Sequence, residues 1–179
     1  MRGGRAVAEL VLGLIEPSGR LPISVARHVG QQPVYYNQIR GQHGTRYADL
    51  TQDPLFVFGE GLSYSPVRYE DLTVRTEGDL IKATITLRNE GARPSPETIQ
   101  VYVSDLVTSV TWAVRELKAY RQVTVPAGET ITVELELPAS ACSLVTADGR
   151  RVVEPGEFEL QVGASSRERD LRTARFRLS

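Results

Sequence analysis

From about Tyr69 onward the chain alternates apolar and polar residues with a period of two. Ile81, Ala83, Ile85 and Leu87 interleave with Lys82, Thr84, Thr86 and Arg88. Ile99, Val101 and Val103 interleave with Gln100 and Tyr102, and Ile131, Val133, Leu135 and Leu137 with Thr132, Glu134 and Glu136. Phe158, Leu160 and Val162 alternate with Glu157, Glu159 and Gln161. Successive side chains of a strand point to opposite faces, so each run predicts an antiparallel strand with one buried and one solvated face. Segments 71–75, 117–125, 142–146 and 174–178 add further candidate strands, with turns at Pro126-Ala127-Gly128 and Pro155-Gly156. About seven short strands in little more than a hundred residues predict a two-sheet β-sandwich, and no helical run competes there.

The first 65 residues follow no such rule. Val7, Leu10, Val11 and Leu14 fall at helical spacing, so a short helix is expected over 5–14. Pro17-Ser18-Gly19 ends it, and 21–25 is a short extended piece in which Pro22 disfavours a central strand. A long irregular stretch over 27–53 carries Tyr35, Tyr36 and Tyr47. Long loops of this kind are functional or disordered, and a tyrosine-rich one is expected to be ordered against something. One short helix and a loop cannot bury a core of their own. The segment must therefore wrap the sandwich or belong to a neighbouring domain.

Composition narrows the function classes. The 179 residues hold 21 Lys+Arg and 22 Asp+Glu, a net charge of −1, with no basic tract of the kind nucleic-acid binding requires. No stretch reaches the roughly 18 apolar residues of a membrane helix. Glu9 interrupts the one apolar run near the start, so no signal peptide is expected, and a cytoplasmic location follows if Met1 is the true start. Cys142 is alone in an apolar run and reads as a buried small hydrophobe. His28 and His43 sit in no metal-ligand spacing, so neither a metal nor a cofactor is expected.

Catalytic motifs are missing too. The chain has no GxSxG and no phosphate-cradling loop. Glycoside hydrolysis needs two carboxylates facing one sugar. Glu134, Glu136, Glu157 and Glu159 lie on polar strand faces, and Asp49, Asp53 and Glu60 are the carboxylates placed where a loop could build a site. Trp112 and the Tyr35, Tyr36, Tyr47 cluster could form a sugar platform or cover an edge or interface.

Several ordered segments resemble the C-terminal part of family 3 glycoside hydrolases of the β-glucosidase type. Glu16-Pro17-Ser18-Gly19-Arg20-Leu21-Pro22 is similar to the family's NPSGRLP motif. Arg27-His28-Val29-Gly30-Gln31-Gln32-Pro33-Val34-Tyr35-Tyr36-Asn37 resembles its RxVGQxPxYYN segment. Pro54-Leu55-Phe56-Val57-Phe58-Gly59-Glu60-Gly61-Leu62-Ser63-Tyr64 resembles PLFPFGYGLSY, and 97–105 resembles a GxEVVQLYVxD strand. Arg115-Glu116-Leu117-Lys118-Ala119-Tyr120 is similar to KELKGF. Glu60 departs from the aromatic or histidine common at its position, and Trp112-Ala113 from a frequent Arg-Pro pair, changes that bear on domain docking.

The resemblance implies a mainly β chain in which residues 1–65 close an α/β sandwich domain and 66–179 form a fibronectin type III-like (immunoglobulin-like) sandwich. It also implies that the nucleophilic aspartate and the acid/base glutamate lie on a barrel and an α/β domain upstream of Met1. These domains are the expected partners, in cis or in trans, and no catalytic residue is assigned to this chain. Tyr35, Tyr36, Arg46 and Tyr47 lie in a loop that, in a whole enzyme, could approach the sugar, with domain docking the alternative role. A carbohydrate-binding sandwich acting alone is the rival reading, and an autonomous glycosidase using Asp49, Asp53 or Glu60 a third.

Overall fold

The computed structural model describes residues 3–39, 41 and 49–179; His43, Arg46 and Tyr47 lie outside the described residues. The first element is α1 (Gly3–Val11), which ends three residues earlier than its apolar spacing suggests. Gly13 adopts φ 67°, a left-handed conformation that terminates a helix readily.

The sandwich begins at β1 (Val67–Glu77) and continues through β2 (Leu80–Asn89), β3 (Ser95–Asp105), β4 (Glu116–Val125) and β5 (Thr130–Pro138). Two short strands follow, β6 (Leu144–Val145) and β7 (Arg151–Val152), then β8 (Gly156–Gly163) and β9 (Arg172–Leu178). One sheet has the order β1-β2-β5 and the other β4-β3-β8-β9, with β6 and β7 as a separate pair, all antiparallel. The strand expected over 142–146 contracts to β6, because Ala139–Cys142 forms a 3-10 turn.

The core lies between the two sheets, as the alternation requires. Ile81, Ile85 and Leu87 of β2 face Ile99, Val101, Phe158 and Leu160, all fully buried. Each such side chain contributes about 1.5–3 kcal/mol by leaving water. Phe158 and Phe176 stack with ring centroids 5.5 Å apart on the paired strands β8 and β9. Cys142 is buried here, and burial pushes its thiol up to about 11.

One expectation fails, and the failure locates the N-terminal segment. The alternation gives β3 a solvated face, yet Gln100, Tyr102 and Ser104 are as buried as Ile99, Val101 and Val103. Gln161 of β8 is buried as well, and Glu159 is half-buried. The polar face of β3 and β8 is not open to water because Tyr36, Phe58 and Gly59 of the N-terminal segment lie against it. Gln100 donates to the carbonyl of Gly59 at 3.0 Å, and Ser166 N–H donates to that of Phe58 at 3.0 Å. The exposed glutamates Glu134, Glu136 and Glu157 keep the solvated positions expected of them.

Candidate functional site: the face shared by the N-terminal segment and the sandwich

The loop motifs that stand out in the sequence converge on this contact. Arg20 reaches over to β3, where its guanidinium donates to both carboxylate oxygens of Glu97, at 3.1 and 3.2 Å. Glu97 is 4% exposed and also accepts from the Tyr69 hydroxyl at 2.9 Å. Burial, and then the adjoining carboxylate, hold the Tyr69 hydroxyl well above its ordinary pKa, so it stays a donor. Gly61 packs so closely on Gly19 and Arg20 that a Cβ there would sit 2.4 Å from the Gly19 carbonyl oxygen.

A second anchor lies before the first strand. Glu16 accepts from the backbone N–H groups of Tyr64 and Ser65, at 2.6 and 2.9 Å, tying the end of the helical region to the entry of the sandwich. The Tyr64 hydroxyl donates back to the Leu10 carbonyl at 2.7 Å. Arg93, from the connection between β2 and β3, donates to the Gly13 carbonyl.

The third anchor is aromatic. Tyr36 stacks on Phe58 with centroids 4.2 Å apart and meets Tyr102 edge-on at 5.8 Å. Its hydroxyl accepts from Leu117 N–H at 3.2 Å, beside the irregularity where β3–β4 pairing skips a residue of β4. Such a bulge leaves the ladder locally disrupted and open to another partner. Tyr102 donates to Gln100 Oε1 at 2.6 Å, and burial raises its own pKa, with Tyr36 adding to the effect. Gly59, at φ 79°, is required here, since a Cβ would lie 1.9 Å from Gln100 Oε1.

Of the four candidate sugar contacts, Tyr36 is therefore engaged in packing, while Tyr35 projects 61% exposed beside it. Arg46 and Tyr47 are outside the described residues. Trp112 is half-buried, its indole N–H donating to Glu116 at 2.9 Å, and Ala113 bridges Ile39 of the loop. Among the loop carboxylates, Glu60 accepts from Val57 N–H at 2.8 Å and from Arg167 at 2.5 Å. Its departure from the family's usual residue thus serves an ion pair to the sandwich. Asp53 is exposed and accepts from Thr51 Oγ1 at 3.1 Å. Among the described residues no group of three or more His, Cys, Asp or Glu could hold a metal ion.

The anchors missed by periodicity are Arg20, Glu97 and Gln100. Their signal was the motifs, NPSGRLP-like on one side and GxEVVQLYVxD-like on the other, whose polar residues face each other across the contact.

Other described residues of the N-terminal segment are left uncovered. No residue of α1 is buried, and Val11, Leu12 and Leu62 are 75%, 73% and 83% exposed. The sandwich, among the described residues, leaves Leu80, Val107, Tyr120 and Val153 as its exposed large hydrophobics, well separated along the chain.

Two family models match the chain: the glycosyl hydrolase family 3 C-terminal domain over residues 1–64 and a fibronectin type III-like domain over 97–166. A β-xylosidase of Formosa agariphila is 37% identical over 97% of this chain and 25% of its own length. The periplasmic β-glucosidase of Salmonella typhimurium is 32% identical over 92% of this chain and 23% of its own. Among solved structures, a β-glucosidase involved in saponin metabolism from intestinal bacteria superposes with a TM-score of 0.94 at 53% identity, covering 100% of this chain and 25% of that one. The Listeria innocua β-glucosidase bound to isofagomine gives 0.89 at 34% identity over 98% of this chain and 26% of the other. The chain thus spans about a quarter of the length of the relatives it matches. It belongs to glycoside hydrolase family 3, in which it corresponds to the C-terminal portion of the β-glucosidase-like members.

Proposed function

We propose that this chain is the non-catalytic element that docks on and steadies the catalytic domains of a family 3 enzyme hydrolysing terminal β-D-glucosyl or related residues. Residues 1–65 are the docking unit and the end of an α/β domain; residues 66–179 are the sandwich that holds them. The observation that carries this reading is that the N-terminal segment is tied to the sandwich yet leaves large apolar residues uncovered. It is fixed to the sandwich by the Arg20–Glu97 pair, the Glu16 cap and the Tyr36 stack. Val7 and Val11 of α1, and Leu62, stay exposed to solvent. A nine-residue helix is marginal in water without tertiary packing, and its apolar stripe is the face that packing would cover. Tyr36 acts here as a docking anchor. Arg46 and Tyr47 are proposed to serve the same junction.

The test uses the intestinal bacterial β-glucosidase lacking the quarter of its chain that corresponds to this one. That truncated enzyme and this chain are assayed on aryl β-glycosides, separately and mixed. The reading predicts no turnover by this chain alone and a gain of activity on mixing. Turnover by the chain alone, surviving repurification, would overturn it and direct attention to Asp49, Asp53 and Glu60.

A further inference from the structure

Both edge strands of the four-stranded sheet turn an arginine toward the inner face. Arg121 of β4 shares its strand face with Ala119 and Val123, which pack on the core, and Arg172 of β9 shares its face with the buried Phe176 and Leu178. Both arginines stay exposed at the open sides of the sandwich. Each reaches a carbonyl on an edge strand of the other sheet. Arg121 donates to Glu134 of β5 at 2.5 Å, and Arg172 to Tyr69 of β1 at 2.7 Å. An inward-pointing charge on an edge strand is one way that sheets are kept from pairing with another chain.

The two covered edges differ. A register shift between Tyr69 and Leu72 interrupts β1 and bends it away from regular pairing. β5 pairs with β2 along Thr130–Pro138 without a shift and, among the described residues, has no strand on its other side. The backbone groups of alternate residues point to the same edge of a strand, so Thr132 and Glu136 direct theirs to the edge where Arg121 covers the Glu134 carbonyl.

A second copy of β5 fits that edge in one register. With Val133 on a two-fold axis, Thr132 faces Glu134 of the second copy and Thr130 faces its Glu136, while Ile131 faces Leu135. No two glutamates are opposed. Centring on Leu135 instead sets Glu134 against Glu136, and like charges directly opposite are unfavourable.

We propose that the outer edge of β5 is a self-pairing surface that joins two copies of this chain into one continuous sheet, and that Arg121 holds it closed by occupying the Glu134 carbonyl. The device lies wholly within the sandwich and does not rest on docking to catalytic domains.

The test is sedimentation velocity of the full 179-residue chain at about 100 µM, with urea unfolding to show that each variant is folded. Arg121→Val should raise the weight-average mass about twofold over that of the native chain, in a concentration-dependent manner. Thr132→Pro added to it should restore the native mass, because the N–H it deletes faces away from β2. Arg172→Val should leave the mass unchanged, since the β1 edge is already interrupted. Arg121→Ala carries the same prediction as Arg121→Val and replaces it should the valine variant unfold. The native mass in a folded Arg121 variant would overturn the proposal. A raised mass that survives Thr132→Pro, or that Arg172→Val produces equally, would overturn it as well.

Discussion

Arg20 and Glu97, separated by 77 positions in the chain, form a nearly buried ion pair with N–O distances of 3.1 and 3.2 Å. Removing one member of such a pair strands the other charge away from water. Arg20→Ala is therefore expected to lower unfolding stability by about 3 kcal/mol in urea titrations. The exposed pair Arg68–Glu90, at 3.0 Å, supplies the contrast: Arg68→Ala should cost less than about 1 kcal/mol. Equal effects would show that the N-terminal segment is not held through Glu97.

Gly59→Ala combines two penalties, a left-handed backbone and a collision with Gln100 Oε1. Its expected cost is about 3 kcal/mol, from ~1 kcal/mol of backbone strain plus the displacement of a buried, hydrogen-bonded amide. Gly128 has a similar φ of 68° with open space around it, so Gly128→Ala should cost only the strain, about 1 kcal/mol. Thermal unfolding of the two variants side by side separates the terms.

These two glycines also mark what could be read from the sequence. Gly128 follows Pro126-Ala127 between two alternating runs, and local chemistry alone identifies its turn. Gly59 sits in a PLFPFGYGLSY-like motif, and its reason is Gln100, on a strand 41 positions away. The same split runs through the sheets. Periodicity gives the inward faces of β2, β5 and β8, because burial between sheets follows directly from the pleat. It misassigns the other face of β3, where Gln100, Tyr102 and Ser104 are polar yet covered. A polar residue satisfied by a distant loop looks, in sequence, like one satisfied by water. The lack of a core in the first 65 residues left wrapping the sandwich as one of two outcomes, and neither that argument nor the motif resemblance told Tyr36, packed on Phe58, from Tyr35, exposed beside it.

Tyr36 offers a graded test of the anchor. Tyr36→Phe keeps the stack on Phe58 and removes the acceptor for Leu117 N–H, so about 1 kcal/mol should be lost. Tyr36→Ala removes the ring as well, and about 3 kcal/mol is expected from denaturation curves.

Cys142 carries a pH signature. Its thiol has an ordinary value of 9.0 and is raised by burial to about 11. A group whose folded pKa is raised contributes stability that is present below the unfolded value and lost as pH climbs through the folded one. Stability should therefore decline between pH 9 and 11 more in the native chain than in Cys142→Ala. Iodoacetamide at pH 8.5 should label the folded chain far more slowly than the urea-unfolded one.

Docking through the exposed apolar residues of the N-terminal segment is tested most directly by calorimetric titration of this chain into the truncated intestinal bacterial β-glucosidase, with Val11→Lys/Leu62→Lys as the control. The expected result is saturable binding with a negative heat-capacity change, the mark of apolar burial, and its loss in the double variant without loss of fold. No binding by the unaltered chain, or undiminished binding by the double variant, would contradict the account.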